Sequence, residues 1–183
     1  MNEDPFNNKQ EKLAIRVELA KPEDWQLCKD LRILAITGED SEMFDMTPEK
    51  VAEELAKSDQ EWKNEASSDD MFSVLARNGS EAVGLGRARF FEGSWRIRNG
   101  YVKPEFRNMG IQQKMSALRL REIQKRGGIK AITGIKMDNP ISLHNAEKFG
   151  FKIVEEDDGW YYLASDLTDP EVIKKIDEVL NAE

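Results

Sequence analysis

The stretch YVKPEFRNMGI, residues 101–111, decides the fold. A strand-like run, Trp95 to Val102, precedes it, and apolar residues at helical spacing begin at Ile111. A strand, a tight turn and a helix start predict an anion site, because the first helical amides lack intrahelical acceptors and the helix dipole favours negative charge. Gly110 lets the backbone approach a ligand closely, and Arg107 adds a positive charge. The alternative is an ordinary strand-to-helix turn with a surface arginine.

The composition is typical of one globular domain, with 183 residues, 39% of them hydrophobic and 34% charged. No apolar run is long enough to cross a bilayer, and the polar N-terminus does not resemble a signal peptide. These features predict a cytoplasmic protein without a membrane partner. The net charge of −8 argues against nucleic-acid binding, which needs a basic face, and is compatible with a cationic small substrate.

Cysteine and histidine are too scarce for a metal cluster or a disulfide framework. Cys28 and His144 are the sole representatives of their types in the sequence. A zinc site usually takes three or four ligands drawn largely from these two types. We therefore expect no metal.

The remaining patterns predict alternating helices and strands. A polar, flexible tail at residues 1–12 precedes a domain at 13–166 and a C-terminal helix at 167–183. In order, we expect a strand, two helices, a three-strand meander, the turn and its helix, a strand, a helix and two strands. The second helix starts at Thr47 and extends through Trp62, followed by a polar loop to Asp70.

Two details of these elements allow more than one interpretation. Gly84 and Gly86 in the second strand of the meander either weaken that strand or mark a bulge. The last helix has an apolar stripe that either packs on the domain or forms a homodimer contact.

Two stretches together resemble one family. Residues 102–111 resemble the acetyl-CoA loop of GNAT N-acetyltransferases, whose pattern is Val-x-Pro-x-x-Arg-Gly-x-Gly-Ile followed by Gly or Ala. Residues 139–142, Asn-Pro-Ile-Ser, with the Gly-Phe pair at 150–151, resemble the second motif of the same family. The resemblance implies an α/β (α+β) fold: a mixed, mostly antiparallel central sheet flanked by helices, splayed at the strand before the acetyl-CoA loop.

The resemblance also implies an activity. It is the direct transfer of an acetyl group from acetyl-CoA, used as cosubstrate, to a primary amine of a small molecule or peptide. The backbone amide of Val102 is the implied donor to the oxyanion. The residues implied to bind the cosubstrate are Val102, Arg107, Asn108, Met109, Gly110, Ile111, Gln112, Gln113, Asn139 and Ser142.

Four positions depart from the family pattern. Asn108 replaces the first glycine of the loop, and Gln112 replaces the final Gly or Ala. Ala146 stands where the second motif commonly has tyrosine, and Arg96 falls where an acid is often found on the strand. An alternative function is therefore a catalytically degenerate member that binds CoA or a partner without efficient turnover.

One substitute for the missing tyrosine is present on the same helix. Ser142 lies four residues before Ala146 and shares its face, so its hydroxyl is a candidate proton donor to the leaving sulfur. The alternative is a helix-start hydroxyl that bonds the backbone near Asn139.

An acidic loop precedes the second helix, where the resemblance places the acceptor. Its carboxylates either attract a cationic amine or are simply solvated, and its apolar pair either lines a pocket or anchors the loop. The candidate acceptor residues are Glu39, Asp40, Glu42, Met43 and Phe44.

Overall fold

The computed structural model describes residues 15–39, 41–44 and 46–182, with only the backbone of Met43. The strands are β1 Ile15–Leu19, β2 Met71–Asn78, β3 Glu81–Phe91, β4 Ser94–Val102, β5 Lys130–Lys136, β6 Lys152–Asp157 and β7 Trp160–Asp166. In this part of the chain they form one sheet in the order β1-β2-β3-β4-β5-β7-β6. Only the β4–β5 pair of this sheet is parallel. This confirms the predicted mixed, mostly antiparallel sheet.

Helices cover both faces of the sheet. They are α1 Trp25–Thr37, α2 Pro48–Ala56, α3 Asp59–Ala66, α4 Ile111–Lys125, α5 Pro140–Glu147 and α6 Pro170–Asn181. We call one side of the sheet the α1 face, where α1 and α3 pack, and the other the α4 face, where α6 packs on α4. None of these described helices has the length and apolar character needed to span a membrane.

Alternation along the strands divides the core between these two faces. Val74 and Met115 are completely buried in the larger cluster under α4, and Leu75 joins Cys28 and Leu31 under α1. Successive residues of a strand point to opposite faces, so β2 supplies both clusters.

The prediction of one continuous second helix is wrong, because α2 ends at Ala56 and a separate helix begins at Asp59. The hydroxyl of Ser58 accepts the Glu61 amide at 3.3 Å, and the Glu61 carboxylate accepts the Ser58 amide at 2.7 Å. This reciprocal capping box starts a new helix, α3, inside the stretch expected to continue α2. The break lets Trp62 be buried while Leu55 stays 49% exposed, and α3 extends to Ala66, into the predicted loop.

The apolar stripe of α6 packs within the molecule. Val172 and Ile176 are buried in the core cluster that also contains residues of α4. Lys114 of α4 donates to the carbonyl of Ala182 at 2.9 Å, and Arg121 pairs with Asp177. The apolar stripe of α6 therefore packs on the domain, which was one of its two interpretations. A homodimer stays a prediction. The predicted tail, residues 1–12, lies outside the described residues.

Candidate active site

The strands β4 and β5 diverge and open a wedge in the sheet. Their register contains only the pairs Trp95–Ala131 and Arg96–Ile132. These two pairs form the apex of the wedge. Beyond them the Thr133 hydroxyl donates to the Ile97 carbonyl at 3.2 Å, and no further ladder pair joins the two strands. The predicted splay is confirmed, and it opens toward the C-terminal ends of both strands.

The backbone of Val102 faces this wedge. Lys103 donates its amide to the carbonyl of Val83 at 2.9 Å, so the adjacent Val102–Gly84 pair belongs to the non-hydrogen-bonded set. Bonded and non-bonded pairs alternate along an antiparallel ladder. The N–H and C=O of Val102 therefore point away from β3 and toward the open side of β4. The direction of this amide matches the predicted oxyanion donor.

A bulge deforms β4 next to the apex of the wedge. Leu85 pairs with Tyr101, whereas Arg87 pairs with Arg98, so β4 has one residue more than β3 over this interval. Residues 99–100 form the bulge, and Asn99 has a positive φ of 56°. A bulge disrupts the ladder locally and leaves polar backbone groups in need of other partners.

Arg119 of α4 supplies those partners. Its side chain is 2% exposed and donates to the carbonyls of Arg87 and Arg98 at 3.5 and 3.3 Å. Burial lowers the pKa of Arg119 to about 10, so the guanidinium remains charged at neutral pH. Gly86 makes room for it, since a Cβ there would lie 3.0 Å from the guanidinium carbon. The tight contact explains Gly86, and the bulge beside it lies in the partner strand, β4. Gly84 follows a bulge in β3 itself, because Arg77 pairs with Ala82 and Ala76 pairs with Gly84.

The turn before α4 has the geometry of an anion site. Asn108 and Gly110 adopt left-handed conformations, with φ of 63° and 74°. Among the described residues no side chain caps α4, and the Lys114 amide bonds the Gly110 carbonyl at 3.1 Å. The amides of residues 111–113 therefore precede the first intrahelical bond and face the turn. Arg107 ties this turn to β4, because its Nε donates to the Val102 carbonyl at 3.0 Å.

The bulky Gln112 is accommodated by a glycine on the neighbouring strand. Its side-chain nitrogen lies 2.6 Å from the position that a Cβ of Gly100 would occupy. The carboxamide is thus turned toward the β4 bulge. Gln112 is half-buried, whereas Met109 is 45% exposed.

The second motif begins α5 beyond the end of β5. Asn139 caps the helix by accepting the Ser142 amide at 3.0 Å, with Pro140 as the first helical residue. The backbone amide of Ser142 makes this bond. The side chain of Ser142, which carries the hydroxyl, is half-buried. Ala146 is half-buried and packs on the core, four residues after Ser142. Both α4 and α5 therefore start from the strands that form the wedge.

The acidic loop lies over the same end of β4, on the α1 face. The Phe44 ring packs against the Tyr101 ring with centroids 6.1 Å apart, which anchors the loop. Glu39 and Glu42 are exposed. Asp40 and the side chain of Met43 lie outside the described residues.

Two features near the wedge have weak sequence signals. Arg119 follows Ile111 and Met115 at four-residue spacing, which puts a charged residue on the buried face of α4. The arginines at 87, 89, 96 and 98 alternate in two paired strands, which places them on one face. Neither pattern alone identifies a site, because both need the strand register.

Comparison with protein families identifies the class of protein to which a chain with this wedge and turn belongs. The model of the acetyltransferase (GNAT) family matches residues 38–151, more than half of the chain. The chain belongs to the GNAT acetyltransferase family, whose general activity is acetyl transfer from acetyl-CoA. No curated protein sequence matches the chain.

Solved structures share this fold at low sequence identity. A PaiA N-acetyltransferase from Thermoplasma acidophilum in complex with coenzyme A is 15% identical, with a TM-score of 0.65 over 84% of this chain and 99% of that one. A ribosomal-protein alanine N-acetyltransferase from Escherichia coli is 11% identical, with a TM-score of 0.60 over 84% and 94%. An aminoglycoside 6'-acetyltransferase of type Ii is 20% identical, with a TM-score of 0.62 over 83% and 97%.

Proposed function

We propose that the protein transfers the acetyl group of acetyl-CoA directly to a primary amine of a small molecule or a peptide. The observation that carries this proposal is the wedge itself. The Val102 amide faces it, and the uncapped start of α4 follows directly from the strand that forms one side of it. A hydrogen-bond donor and an anion site are the two groups that a thioester with a pyrophosphate tail requires.

The turn and the first residues of α4 fit a pyrophosphate. A Cβ built on Gly110 meets no atom within 4 Å, so the space beside this backbone is open. Residues 107–113 would hold the phosphates through backbone amides and the charge of Arg107, and Asn139 and Ser142 would contact the rest of the cosubstrate. The coenzyme A bound by the Thermoplasma relative supports this assignment.

The chain supplies the groups for acetyl transfer around Val102. Acetyl-CoA provides an activated acyl group with a thiolate leaving group, which needs less acid assistance than an alkoxide or an amide would. The Val102 N–H would stabilise the carbonyl oxygen as negative charge develops on it. The amine must pass a proton to solvent water before or during its attack, and Ser142 or water would protonate the departing sulfur.

An amine acceptor agrees with the acidic loop. Glu39 and Glu42 are exposed on a loop that Phe44 anchors over Tyr101 of β4. Carboxylates there attract an ammonium group before reaction. The structural relatives named above include an acetyltransferase of an aminoglycoside and one of an alanine in a ribosomal protein. Both names support an amine acceptor, and they do not select one acceptor.

A catalytically degenerate member is the second candidate, because Ala146 stands where the family commonly has tyrosine. Release of free CoA separates the two candidates. A panel of polyamines, amino acids, aminoglycosides and peptides with free amines is incubated with acetyl-CoA, and the thiol product is measured. Turnover with any amine supports the proposal, whereas acetyl-CoA binding without thiol release supports the degenerate member. A protein that gives no calorimetric signal with acetyl-CoA contradicts the proposal and leaves only a degenerate member that binds a partner.

Gly110→Val provides a sharper test of the anion site. The substitution should lower acetyl-CoA affinity at least tenfold, because a side chain would fill the open space beside the turn. Gly93→Val is the matched control, since Gly93 has a φ of 76° against 74° for Gly110, also has no neighbour within 4 Å, and lies in the β3–β4 turn. The backbone strain is then similar in both variants. Equal acetyl-CoA affinities by calorimetry would place the anion site elsewhere.

A further inference from the structure

Arginines dominate one region of the α1 face. Arg87 and Arg98 are directly opposite in the β3–β4 register, as are Arg89 and Arg96. Directly opposite residues, and residues two apart in a strand, share one face of a sheet. We call Arg89, Arg96 and Arg98 the arginine patch. Arg87 is excluded from it because it is buried, with Trp62 under its guanidinium and Glu65 at 3.2 Å.

The patch has too few carboxylates to balance its charge. Arg96 pairs with Glu92 at 2.8 Å, yet its Nε is buried without a hydrogen-bond partner. Within the described part of the chain, neither Arg89 nor Arg98 has a carboxylate within 4.0 Å. Burial, Arg96 and Arg89 together lower the pKa of Arg98. Like charges directly opposite in a sheet are destabilising, so this arrangement costs stability in a chain whose net charge is −8.

An aromatic ring organises two members of the patch. The guanidinium carbons of Arg96 and Arg89 lie 4.9 and 6.0 Å from the centroid of Phe91. This ring is 46% exposed, so the contacts do not serve to bury it in the core. Cation–π contacts of this kind restrict the guanidinium groups before any ligand arrives. The donors are therefore partly preorganised.

The patch borders the apex of the wedge. Arg96 belongs to the last β4–β5 pair, and Arg98 is the next side chain on the same face, roughly 7 Å along the strand. Tyr101, under the acidic loop, follows on the far side of the bulge. Because α4 and its anion turn belong to the other face, the patch shares its face with the acidic loop, where the acceptor is proposed to bind.

We propose that the acceptor carries an anionic group, a carboxylate or a phosphate, which the arginine patch binds while the amine lies at the wedge. This inference rests on the proposed function and deepens it by naming a substrate class. Guanidinium groups form bidentate hydrogen bonds with both kinds of oxyanion. The ammonium group of the same molecule faces the acidic loop, so the acceptor is bipolar before it reacts.

Matched pairs of amines test this assignment. Beta-alanine is compared with propylamine, which lacks the carboxylate, and phosphoethanolamine with ethanolamine, which lacks the phosphate. Binding to the CoA-saturated protein is measured by calorimetry, and acetylation is measured separately by CoA release. We expect at least tenfold tighter binding of the anionic member of one pair, and the responding pair identifies the oxyanion. Arg98→Gln should remove that preference, while Arg16→Gln, an exposed arginine on β1, should retain it.

The two measurements separate the possible failures. An anionic amine that binds through Arg98 without acetylation supports the patch and contradicts the proposed function. Acetylation of both members of each pair at equal kcat/KM, or the absence of tighter binding by either anionic amine, overturns the patch assignment. A preference that persists in Arg98→Gln and in the Arg96→Gln, Arg98→Gln double variant also overturns it. Thermal unfolding of each variant confirms that the comparison is between folded proteins.

Discussion

Two residues that depart from the GNAT pattern are accommodated by different means. Asn108 replaces a glycine and still adopts a φ of 63°, a conformation that Asn tolerates better than most residues. Gln112 replaces a small residue at the start of α4, and its bulk is accommodated because Gly100, on β4, lacks a side chain. The first solution is local and follows from the residue type. The second depends on a contact that only the folded chain shows.

The position of Ala146 leads to a prediction about proton transfer. Ala146→Tyr should raise turnover at unchanged CoA affinity, because a positioned acid contributes typically about a hundred- to ten-thousandfold. Ser142→Ala should lower kcat if its hydroxyl protonates the sulfur and leave kcat unchanged if water does so. His144→Ala, an exposed site on the same helix, is the control. Normal CoA binding with no gain in Ala146→Tyr and no loss in Ser142→Ala would exclude acid catalysis from this helix.

At the scale of elements, α4 connects the anion turn to the β4 bulge. Its first turn presents free amides, and two turns later Arg119 bonds the carbonyls of Arg87 and Arg98. The same helix therefore fixes both the cosubstrate turn and the strand whose Val102 amide faces the wedge. A change at Arg119 should affect stability and catalysis together.

Arg119→Met should reduce the free energy of unfolding by about 2 kcal/mol. Each buried carbonyl left without a partner costs roughly 1–3 kcal/mol, and removal of a buried charge offsets part of that loss. Arg121→Met on the same helix is the control, because its exposed pair with Asp177 should contribute no more than about 1 kcal/mol. Urea unfolding measures both variants, and kcat should fall only in Arg119→Met. Equal losses of stability would show that Arg119 does not support the bulge.

Local signals predicted most elements of the fold. The glycine turns, the Asn139 cap and the α4 periodicity gave correct positions for the meander, α4 and α5. The break before Asp59 was missed because apolar spacing continued through it, although the Ser58–Glu61 capping box was a usable signal. The bulge and the arginine patch could not be predicted, since both depend on the register between β3 and β4.

At the scale of the whole molecule, charge is distributed unevenly. A chain with net charge −8 presents an acidic loop and an arginine patch along the same strand, β4. Opposite charges at separate positions suit a bipolar acceptor and orient it as it approaches. The overall charge was compatible with a cationic substrate, and it gave no sign of the anionic group that we propose for the acceptor.

Neutralising the acidic loop should weaken acceptor binding. The Glu39→Gln, Glu42→Gln double variant should raise the KM for the amine several-fold and flatten its dependence on salt, because exposed charges are screened over about 10 Å at 0.1 M ionic strength. Glu23→Gln, an exposed carboxylate before α1, is the control. Steady-state kinetics across a salt series provide the measurement. An unchanged KM in the double variant would show that the loop is only solvated.

We expect Asp24 to make the free energy of unfolding depend on pH in the acidic range. Burial raises the pKa of Asp24, but hydrogen bonds from the Lys21 amide at 2.9 Å and from Arg77, at 2.7 Å, outweigh it and hold the pKa below its ordinary value of 3.8. A carboxylate with a depressed folded pKa contributes stability above its unfolded pKa and loses it as the pH falls through the folded pKa.

Asp24→Asn tests this linkage. The variant should lower the free energy of unfolding at pH 7 by roughly 1.5–3 kcal/mol, the usual range for a hydrogen bond to a charged group. Its stability should also fall less steeply than that of the wild type below about pH 4, because the unfolded chain no longer gains a proton at this position. Asp70→Asn, at an exposed carboxylate before β2, should leave the slope unchanged. Urea unfolding at several pH values measures both effects. Parallel pH profiles for Asp24→Asn and the wild type would show that the Arg77–Asp24 contact, which joins β2 to the start of α1, does not control acid stability.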